Sequence, residues 1–230
     1  MEQLTFELAA FEPPSFANFL AGRNAEAVSQ LAKAAHGELT ETGIYVWGAP
    51  GSGRTHLLRA VVAEAGARRA ALYCEGPDDA PSEPPAPGAL VAVDDVDSAD
   101  AAAQGRLFTL FNRLKEGGGQ LLAAASVPPS RLTVRDDLRT RLGWGLVYEL
   151  VPLADADKAE ALVRYARERG LRLAPEVAEY LLAHGRRDMA TLVGTVAALD
   201  RYSLAVKRPL TVPLLREWLQ QRLGLDAPPP

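Results

Sequence analysis

The sequence has few of the residues that mark several classes of protein. A single cysteine, Cys74, excludes an internal disulfide and is typical of a chain from a reducing compartment. Its three histidines, His36, His56 and His184, lack the spacing of metal ligands, and we interpret them as structural or solvated. The chain also has no apolar run of membrane-spanning length and no signal-peptide pattern. We therefore expect a cytoplasmic protein that does not associate with membranes.

The chain also lacks a basic surplus. Its 25 Lys and Arg residues are outnumbered by 29 Asp and Glu residues, which gives a formal net charge of -4. A protein that binds DNA normally carries a basic face, so we expect no direct sequence-specific DNA binding. The hydrophobic content of 48% over 230 residues is that of an ordinary globular protein. This length fits one large domain, or a medium domain and a small one.

The most informative segment is the phosphate-binding loop pattern at residues 48–55, Gly-Ala-Pro-Gly-Ser-Gly-Arg-Thr. It follows the spacing G-x-x-x-x-G-K-[ST], with Arg54 in place of the lysine. A buried strand is predicted before it, over 44–47, and an amphipathic helix after it. Glycines allow the backbone N–H groups to turn toward a polyphosphate at the start of that helix. The segment thus predicts a nucleotide site rather than a plain Gly-rich turn.

Several side chains of this loop and of a later strand are candidates for phosphate and metal binding. The loop supplies Gly48, Pro50, Gly51, Ser52, Gly53, Arg54 and Thr55 as nucleotide-binding residues. The Thr55 hydroxyl and Asp94, at the end of an apolar strand, are predicted to hold hydrated Mg²⁺. Asp95 is either a water-polarising acid or, with Asp94, a cap of the strand. Because the Arg54 guanidinium is a long planar fork, we expect a poorer fit to a γ-phosphate and weak or no autonomous ATP hydrolysis.

The pattern of hydrophobic residues predicts two domains. Apolar strands at 44–47, 70–74, 90–95, 121–126 and 146–150 alternate with helices, which indicates an α/β domain with a five-stranded parallel sheet. From residue 155 the pattern predicts only helices, over 155–169, 175–183, 188–205 and 211–223. We expect the α/β domain over 12–152, a small all-α bundle over 153–224, and flexible ends at 1–11 and 225–230. The proline-rich segment 75–88 is expected to be an irregular surface loop.

Motifs along nearly the whole chain, from Phe16 to Leu223, resemble the AAA+ domain of the DnaA family of bacterial replication initiators. The matching segments are Phe16–Asn24, Gly48–Leu58, Asp94-Asp95, Phe111–Leu114, Pro128–Leu132 and Leu138–Leu142. The chain leaves no room for the N-terminal region and the helix-turn-helix domain of DnaA. Within the family it is most similar to the Hda regulators, which look like free-standing AAA+ modules; Arg54, the run Arg141–Gly145 and Tyr148 share that similarity. The resemblance implies an AAA+ P-loop domain followed by a helical lid.

The resemblance also implies a regulator of chromosomal replication initiation. Such a protein, bound to ADP or ATP with Mg²⁺ and to the DNA-loaded sliding clamp of DNA polymerase III, promotes hydrolysis of DnaA-bound ATP and so prevents re-initiation. One alternative is an AAA+ ATPase or helicase-loader-like protein with its own ATPase cycle. Another is a nucleotide-gated adaptor that binds DnaA or the clamp without activating hydrolysis. Formation of homo-oligomers stays open.

Further site residues follow from the resemblance alone. Phe19 and His56 would join the nucleotide pocket, and Arg187 would be the phosphate-sensing arginine of the lid. Arg141 would act in trans as an arginine finger on DnaA-bound ATP, although its charge alone indicates only a solvated surface arginine. Ser126 departs from the family, since relatives have an acidic sensor there, and Ala190 replaces a further arginine.

The N-terminal residues 3–8 resemble the clamp-binding peptide of Hda, of the type Q-L-x-L-P-L. Gln3, Leu4 and Leu8 match, Phe6 replaces an apolar anchor, and Glu7 departs. These residues would then bind the sliding clamp as an extended peptide. The alternative is a frayed terminus with incidental apolar residues.

Overall fold

Five parallel strands form the centre of the unit that spans Pro13–Pro152. The computed structural model describes residues 13–184 and 189–223. The strands are β1 (Gly43–Trp47), β2 (Ala71–Cys74), β3 (Leu90–Val93), β4 (Gln120–Ala125) and β5 (Leu146–Glu149), in the order β2-β3-β4-β1-β5. Each pair of neighbours is parallel, which confirms the predicted sheet. Because β1, β3 and β4 are adjacent and parallel, their carboxyl ends lie at the same edge of the sheet, where polar residues follow the strands.

Helix α1 (Ala25–His36) precedes β1, and three helices lie between strands: α2 (Arg54–Ala65), α3 (Ala101–Glu116) and α4 (Asp136–Leu142). One buried cluster joins α1 and α2 to the sheet through residues such as Leu31 and Leu57. A second cluster joins α3 and α4 to the sheet through Leu107, Leu138 and neighbouring side chains. Helices therefore contribute to apolar clusters on the sheet, as expected for a parallel sheet with buried strands.

The sequence pattern predicts no helix between the fourth and fifth strands and places Arg141 on a turn there, whereas the structure has helix α4. Only two of its seven residues are long apolar ones, Leu138 and Leu142, and both are buried in the cluster with α3. Apolar periodicity alone predicts a helix over 104–116, but α3 begins three residues earlier, because the Asp100 side chain accepts a hydrogen bond of 2.7 Å from the Ala103 N–H. Such a carboxylate cap satisfies an N–H group that the helix itself leaves unpaired.

The described residues from Leu153 onward belong to a second compact unit made of helices. These are α5 (Asp155–Glu168), α6 (Pro175–His184), α7 (Met189–Val206) and α8 (Val212–Leu223). Each of these bounds lies within one residue of the predicted one. Side chains of all four helices, among them Leu162, Leu181, Val196 and Trp218, share one apolar cluster. The unit therefore has a hydrophobic core of its own.

Two expectations from composition can be compared with the described residues. None of their helices is sufficiently long and apolar to cross a bilayer. Cys74 ends β2 and is buried, and this burial raises the pKa of its thiol to about 11. A thiol in that state is a small apolar residue and a poor nucleophile.

Candidate functional site

The loop between β1 and α2 has the backbone geometry of a phosphate cradle. Gly51 and Gly53 have φ angles of 80° and 96°, in the left-handed region that favours glycine. Helix α2 begins at Arg54, directly after the loop, so its first N–H groups lack partners within the helix. Successive N–H groups around such glycines form an anion-binding concavity, reinforced by the helix dipole.

Gly48, the first residue of the loop, is packed too closely for any side chain. A Cβ atom there would lie 2.3 Å from the Leu150 carbonyl oxygen and 2.8 Å from Ser52 Oγ. Ser52 is itself only 5% exposed, and its hydroxyl has no hydrogen-bond partner among the described residues. The buried Nη1 of Arg54 also has no hydrogen-bond partner among the described residues. A phosphate would supply acceptors for these buried donors, so the loop fits a polyphosphate ligand.

Thr55 and Asp94 lie together at the open edge of the sheet. The Thr55 hydroxyl donates a hydrogen bond of 2.6 Å to Asp94 Oδ2, and the Tyr73 hydroxyl donates to the same oxygen at 3.3 Å. Asp94 is 2% exposed, and its Oδ1 accepts from the Asp95 N–H at 3.0 Å. A hydroxyl beside a carboxylate is the donor set that holds hydrated Mg²⁺ in P-loop proteins, and it fits that ion here.

Asp95 forms an ion pair with Arg54 at the end of the loop. Its Oδ1 lies 3.3 Å from Nη2 of Arg54, and its backbone adopts a left-handed φ of 44°. Partial burial and the neighbouring Asp94 carboxylate raise the pKa of Asp95, while the Arg54 charge opposes that rise. The side chain that would reach the outer phosphates is therefore already paired with an acid.

A second acid at this edge, Asp97, is one that sequence reasoning did not assign to the site. Its Oδ2 accepts hydrogen bonds from the Ser126 hydroxyl and, at 3.1 Å, from the Ser126 N–H. Ser126 follows Ala125, whose carbonyl accepts from the Gly48 N–H at 3.2 Å. Asp97 thus places a carboxylate beside Ser126, directly after the strand that contacts the loop. The available signal was the pairing of β3 with β4, since residues 97 and 126 each follow one of these strands.

Phe19 and His56 lie beside the loop, as the resemblance implies. The Phe19 ring fills the space over Gly53, where a Cβ atom would be 2.5 Å from a ring carbon. The His56 ring centroid is 5.4 Å from that of Phe19, and its Nε2 lies 3.0 Å from the Ser15 carbonyl oxygen. Burial lowers the pKa of His56, so the ring is neutral at pH 7 and Nε2–H donates to Ser15. These contacts join the segment before α1 to the phosphate loop.

Arg141 lies in the last turn of α4 and is half-buried against α3. Its Nε donates to Asn112 Oδ1 at 3.0 Å, its Nη1 donates to the Asp137 carbonyl at 3.2 Å, and its guanidinium carbon is 4.0 Å from the centre of the Phe108 ring. Neither carboxylate on α4 pairs with it: Asp136 pairs with Arg139, and Asp137 with Arg135. Among the described residues, Arg141 therefore forms no ion pair, although its charge contributes to lowering the pKa of Asp137.

The remaining predicted site residues lie outside the described residues. These are Gln3, Leu4, Phe6 and Leu8 of the clamp-binding peptide and Arg187 of the lid. Their roles stay predictions. No cluster of three or more His, Cys, Asp or Glu side chains among the described residues forms a metal site.

The helical unit matches a family model. Residues 155–219, which include most of α5 to α8, match the model described as the lid domain of Hda. The match covers the part of the chain in which the sequence pattern changes from alternating strands and helices to helices alone.

The fold is similar to that of solved replication proteins. DnaA of Aquifex aeolicus is 24% identical, with a TM-score of 0.65 over 83% of this chain and 66% of that chain. Domain III of Thermotoga maritima DnaA is 19% identical, with a TM-score of 0.65 over 90% and 98%. The Thermotoga maritima branch-migration motor RuvB is 17% identical, with a TM-score of 0.64 over 94% and 74%. The chain thus spans slightly less than two thirds of the Aquifex DnaA chain.

The sheet order, the phosphate loop between β1 and α2, and the acids after β3 define a P-loop protein of the AAA+ class, as these structures also show. Residues 155–219 match the Hda lid domain, and the fold is similar to that of DnaA, which supports the resemblance found in the sequence.

Proposed function

We propose that this protein regulates the initiation of chromosomal replication by promoting hydrolysis of the ATP bound to DnaA. It acts with a nucleotide, ADP or ATP with Mg²⁺, in its own phosphate loop and with residues 3–8 bound to the DNA-loaded sliding clamp. Arg141 contacts the DnaA-bound nucleotide in trans. The observation that carries the proposal is the lid match over residues 155–219 on a chain whose α/β unit holds a phosphate loop.

The geometry of the loop supports nucleotide binding. Donors for phosphate come from the unpartnered Ser52 hydroxyl and from the backbone of the loop, where Gly51 and Gly53 have positive φ angles. The Thr55–Asp94 pair provides oxygen ligands for Mg²⁺. The DnaA of Aquifex aeolicus, whose fold is similar, was solved with AMPPCP bound. When bound, Mg²⁺ would neutralise phosphate charge, while Thr55 and Asp94 would orient it.

The outer-phosphate end of the loop favours a regulator over a self-contained motor. Arg54 is paired with Asp95 at 3.3 Å, and the Asp97 carboxylate is held by Ser126 beside Gly48. A γ-phosphate would add negative charge next to these acids, and Arg54 could offer it Nη1 while Nη2 stays paired with Asp95. The site therefore suits ligand retention better than repeated hydrolysis.

Reconstitution tests the proposal. Hydrolysis by ATP-loaded DnaA is measured with this protein in its ADP form, with clamp loaded on nicked circular DNA, and with each component omitted in turn. We expect stimulation only in the complete mixture and little hydrolysis by this protein alone. An intrinsic ATPase rate that DnaA and clamp do not change would favour the motor. Binding to DnaA and clamp without stimulation would favour the adaptor.

ADP should bind at least as tightly as ATP. The Arg54–Asp95 ion pair and the nearby Asp97 carboxylate reduce what the γ-phosphate can gain, and a hydrogen bond to a charged group contributes about 1.5–3 kcal/mol. Isothermal titration of the nucleotide-free protein with each nucleotide and Mg²⁺ measures the ratio of the two Kd values. Arg54→Lys is the matched variant and should shift the ratio toward ATP. A much tighter Kd for ATP than for ADP in the unmodified protein would contradict this expectation.

Replacing Gln3 and Leu4 together with alanine should abolish clamp binding while nucleotide binding is unchanged. A short extended peptide concentrates its binding energy in a few anchors, and by resemblance these two residues are among them. Surface plasmon resonance on immobilised clamp measures the loss, with Glu2→Ala and Glu7→Ala as controls within the same segment. Wild-type clamp affinity in the double variant would show that residues 3–8 are not a clamp-binding peptide.

A further inference from the structure

A tyrosine on β2 contacts the candidate Mg²⁺ site, although neither the phosphate-loop pattern nor the resemblance selects it. Tyr73 lies on the edge strand β2 and is paired in register with Ala92 of β3. Side chains of paired residues point to the same face of a sheet, and so do side chains two residues apart along a strand. Tyr73 therefore shares a face with Asp94, two residues after Ala92. The register of β2 and β3 thus brings a phenol hydroxyl to this carboxylate.

Three hydrogen bonds from three parts of the fold hold the Asp94 carboxylate. Its Oδ1 accepts from the Asp95 N–H at 3.0 Å. Its Oδ2 accepts from the Thr55 hydroxyl at 2.6 Å and from the Tyr73 hydroxyl at 3.3 Å. Thr55 is itself a candidate ligand of the metal, and the Asp95 N–H belongs to the same turn as the carboxylate. Tyr73 is the donor that comes from a neighbouring strand and is not itself a candidate ligand.

The Tyr73 ring is in turn held by a charged pair. The guanidinium carbon of Arg59, on α2, lies 4.8 Å from the centre of the ring, and its Nη2 donates to Glu75 Oε1 at 3.0 Å. An aromatic face attracts such a cation. The ring also packs against the apolar cluster that joins α1 and α2 to the sheet. These contacts restrict the ring and keep its hydroxyl beside Asp94.

We propose that Tyr73 is a positioning residue for the metal, and that its hydroxyl holds the Asp94 carboxylate in the orientation that suits Mg²⁺ beside Thr55. This inference rests on the proposed function, because it presupposes a nucleotide with Mg²⁺ in the phosphate loop. Asp94 is 2% exposed, so water is poorly placed to replace a lost donor. A carboxylate has roughly four acceptor sites, and the three hydrogen bonds leave room for water of a hydrated ion.

Binding of Mn²⁺ in place of Mg²⁺ tests the inference without DnaA, because electron paramagnetic resonance distinguishes free from bound Mn²⁺. Tyr73→Phe removes the hydroxyl and keeps the ring. The Kd of Mn²⁺ for the complex of this protein with ADP should rise about 10- to 100-fold, the usual effect of losing a group that orients a metal ligand. The Kd of fluorescent ADP in EDTA and the Tm should stay close to wild type. A merely structural role of Tyr73 would not separate metal binding from these two measurements.

Tyr148→Phe is the matched control, because it removes a hydroxyl from a partly buried tyrosine on the opposite edge strand, β5. Tyr148 packs against the same apolar cluster, and its variant should bind Mn²⁺ like the wild type. Thr55→Ala removes a candidate ligand and should weaken Mn²⁺ binding at least as much as Tyr73→Phe.

The three variants separate failure of the inference from failure of the proposed site. The inference is overturned if Thr55→Ala loses Mn²⁺ while Tyr73→Phe binds it like the wild type. It is also overturned if Tyr73→Phe weakens ADP binding in EDTA as much as it weakens Mn²⁺ binding, or if Tyr148→Phe loses Mn²⁺ equally. If Thr55→Ala itself binds Mn²⁺ like the wild type, the metal site of the proposed function is wrong, and the role of Tyr73 falls with it.

Discussion

Replacing Arg141 with alanine should abolish the stimulation of ATP hydrolysis by DnaA, while nucleotide and clamp binding by this protein remain. An arginine supplied in trans meets charge that develops only in the transition state, and in related phosphate-loop enzymes it contributes about 10³–10⁵ in rate. Single-turnover hydrolysis by ATP-loaded DnaA, at saturating clamp and saturating variant, measures the effect. The fold should survive, because Arg141 and the two residues that accept its hydrogen bonds are only partly buried.

Arg139 provides the matched control for this experiment. It lies two residues earlier on α4 and pairs with Asp136, so Arg139→Ala should change stimulation little. Replacement of a surface residue with no special role costs within roughly 0.5 kcal/mol. If the Arg141→Ala protein stimulates DnaA as well as the wild type does, Arg141 does not act in trans. If instead Arg139→Ala loses stimulation and Arg141→Ala keeps it, the role belongs to Arg139.

The sheet and most helices could be predicted because their sequence patterns are long and regular. Helix α4 could not, since its seven residues hold only two long apolar side chains, and its helical form depends on packing of Leu138 and Leu142 in the cluster with α3. The start of α3 was misplaced for a related reason. Its first turn, Ala101–Gln104, has little apolar periodicity, and the Asp100 cap decides where the helix begins.

The candidate site was predictable where function depends on local spacing. Residues 48–55 and Asp94 could be selected because the phosphate-loop pattern and a strand ending in acids are contiguous in sequence. The Asp97–Ser126 and Asn112–Arg141 contacts each join residues 29 positions apart. They depend on which strands and helices are neighbours, and no local pattern encodes that. The Arg54–Asp95 pair similarly required the left-handed turn at Asp95.

These long-range contacts change the chemical interpretation of the site. From the sequence, Ser126 means the loss of an acid near the phosphates. In the structure, Asp97 brings a carboxylate to the same edge from the turn after β3, bound to both the hydroxyl and the N–H of Ser126. A carboxylate therefore lies at this edge although residue 126 is a serine. What distinguishes the site is the engagement of Arg54 by Asp95, and this contact bears directly on the preference between ADP and ATP.

Replacing Gly48 with alanine should have the largest effect on nucleotide binding. The new Cβ would lie 2.3 Å from the Leu150 carbonyl and 2.8 Å from Ser52 Oγ, so the loop must move away from β5 or displace Ser52. Overpacking of this kind costs about 1–3 kcal/mol of stability. A shifted loop also loses hydrogen bonds to phosphate; two of them, at about 1.5–3 kcal/mol each, correspond to a roughly 10²- to 10⁴-fold weaker Kd.

Gly76→Ala is the control for this substitution, because it makes the same chemical change where the structure can accept it. Gly76 has an extended backbone, with φ of −156°, and no atom beyond its chain neighbours lies within 4 Å of where its Cβ would be. Titration with fluorescent ADP and thermal unfolding of both variants measure affinity and stability together. We expect Gly76→Ala to match the wild type in both measurements. A Gly48→Ala protein with wild-type Kd and Tm would show that residues 48–55 tolerate a side chain at Gly48 and are not packed as a phosphate cradle.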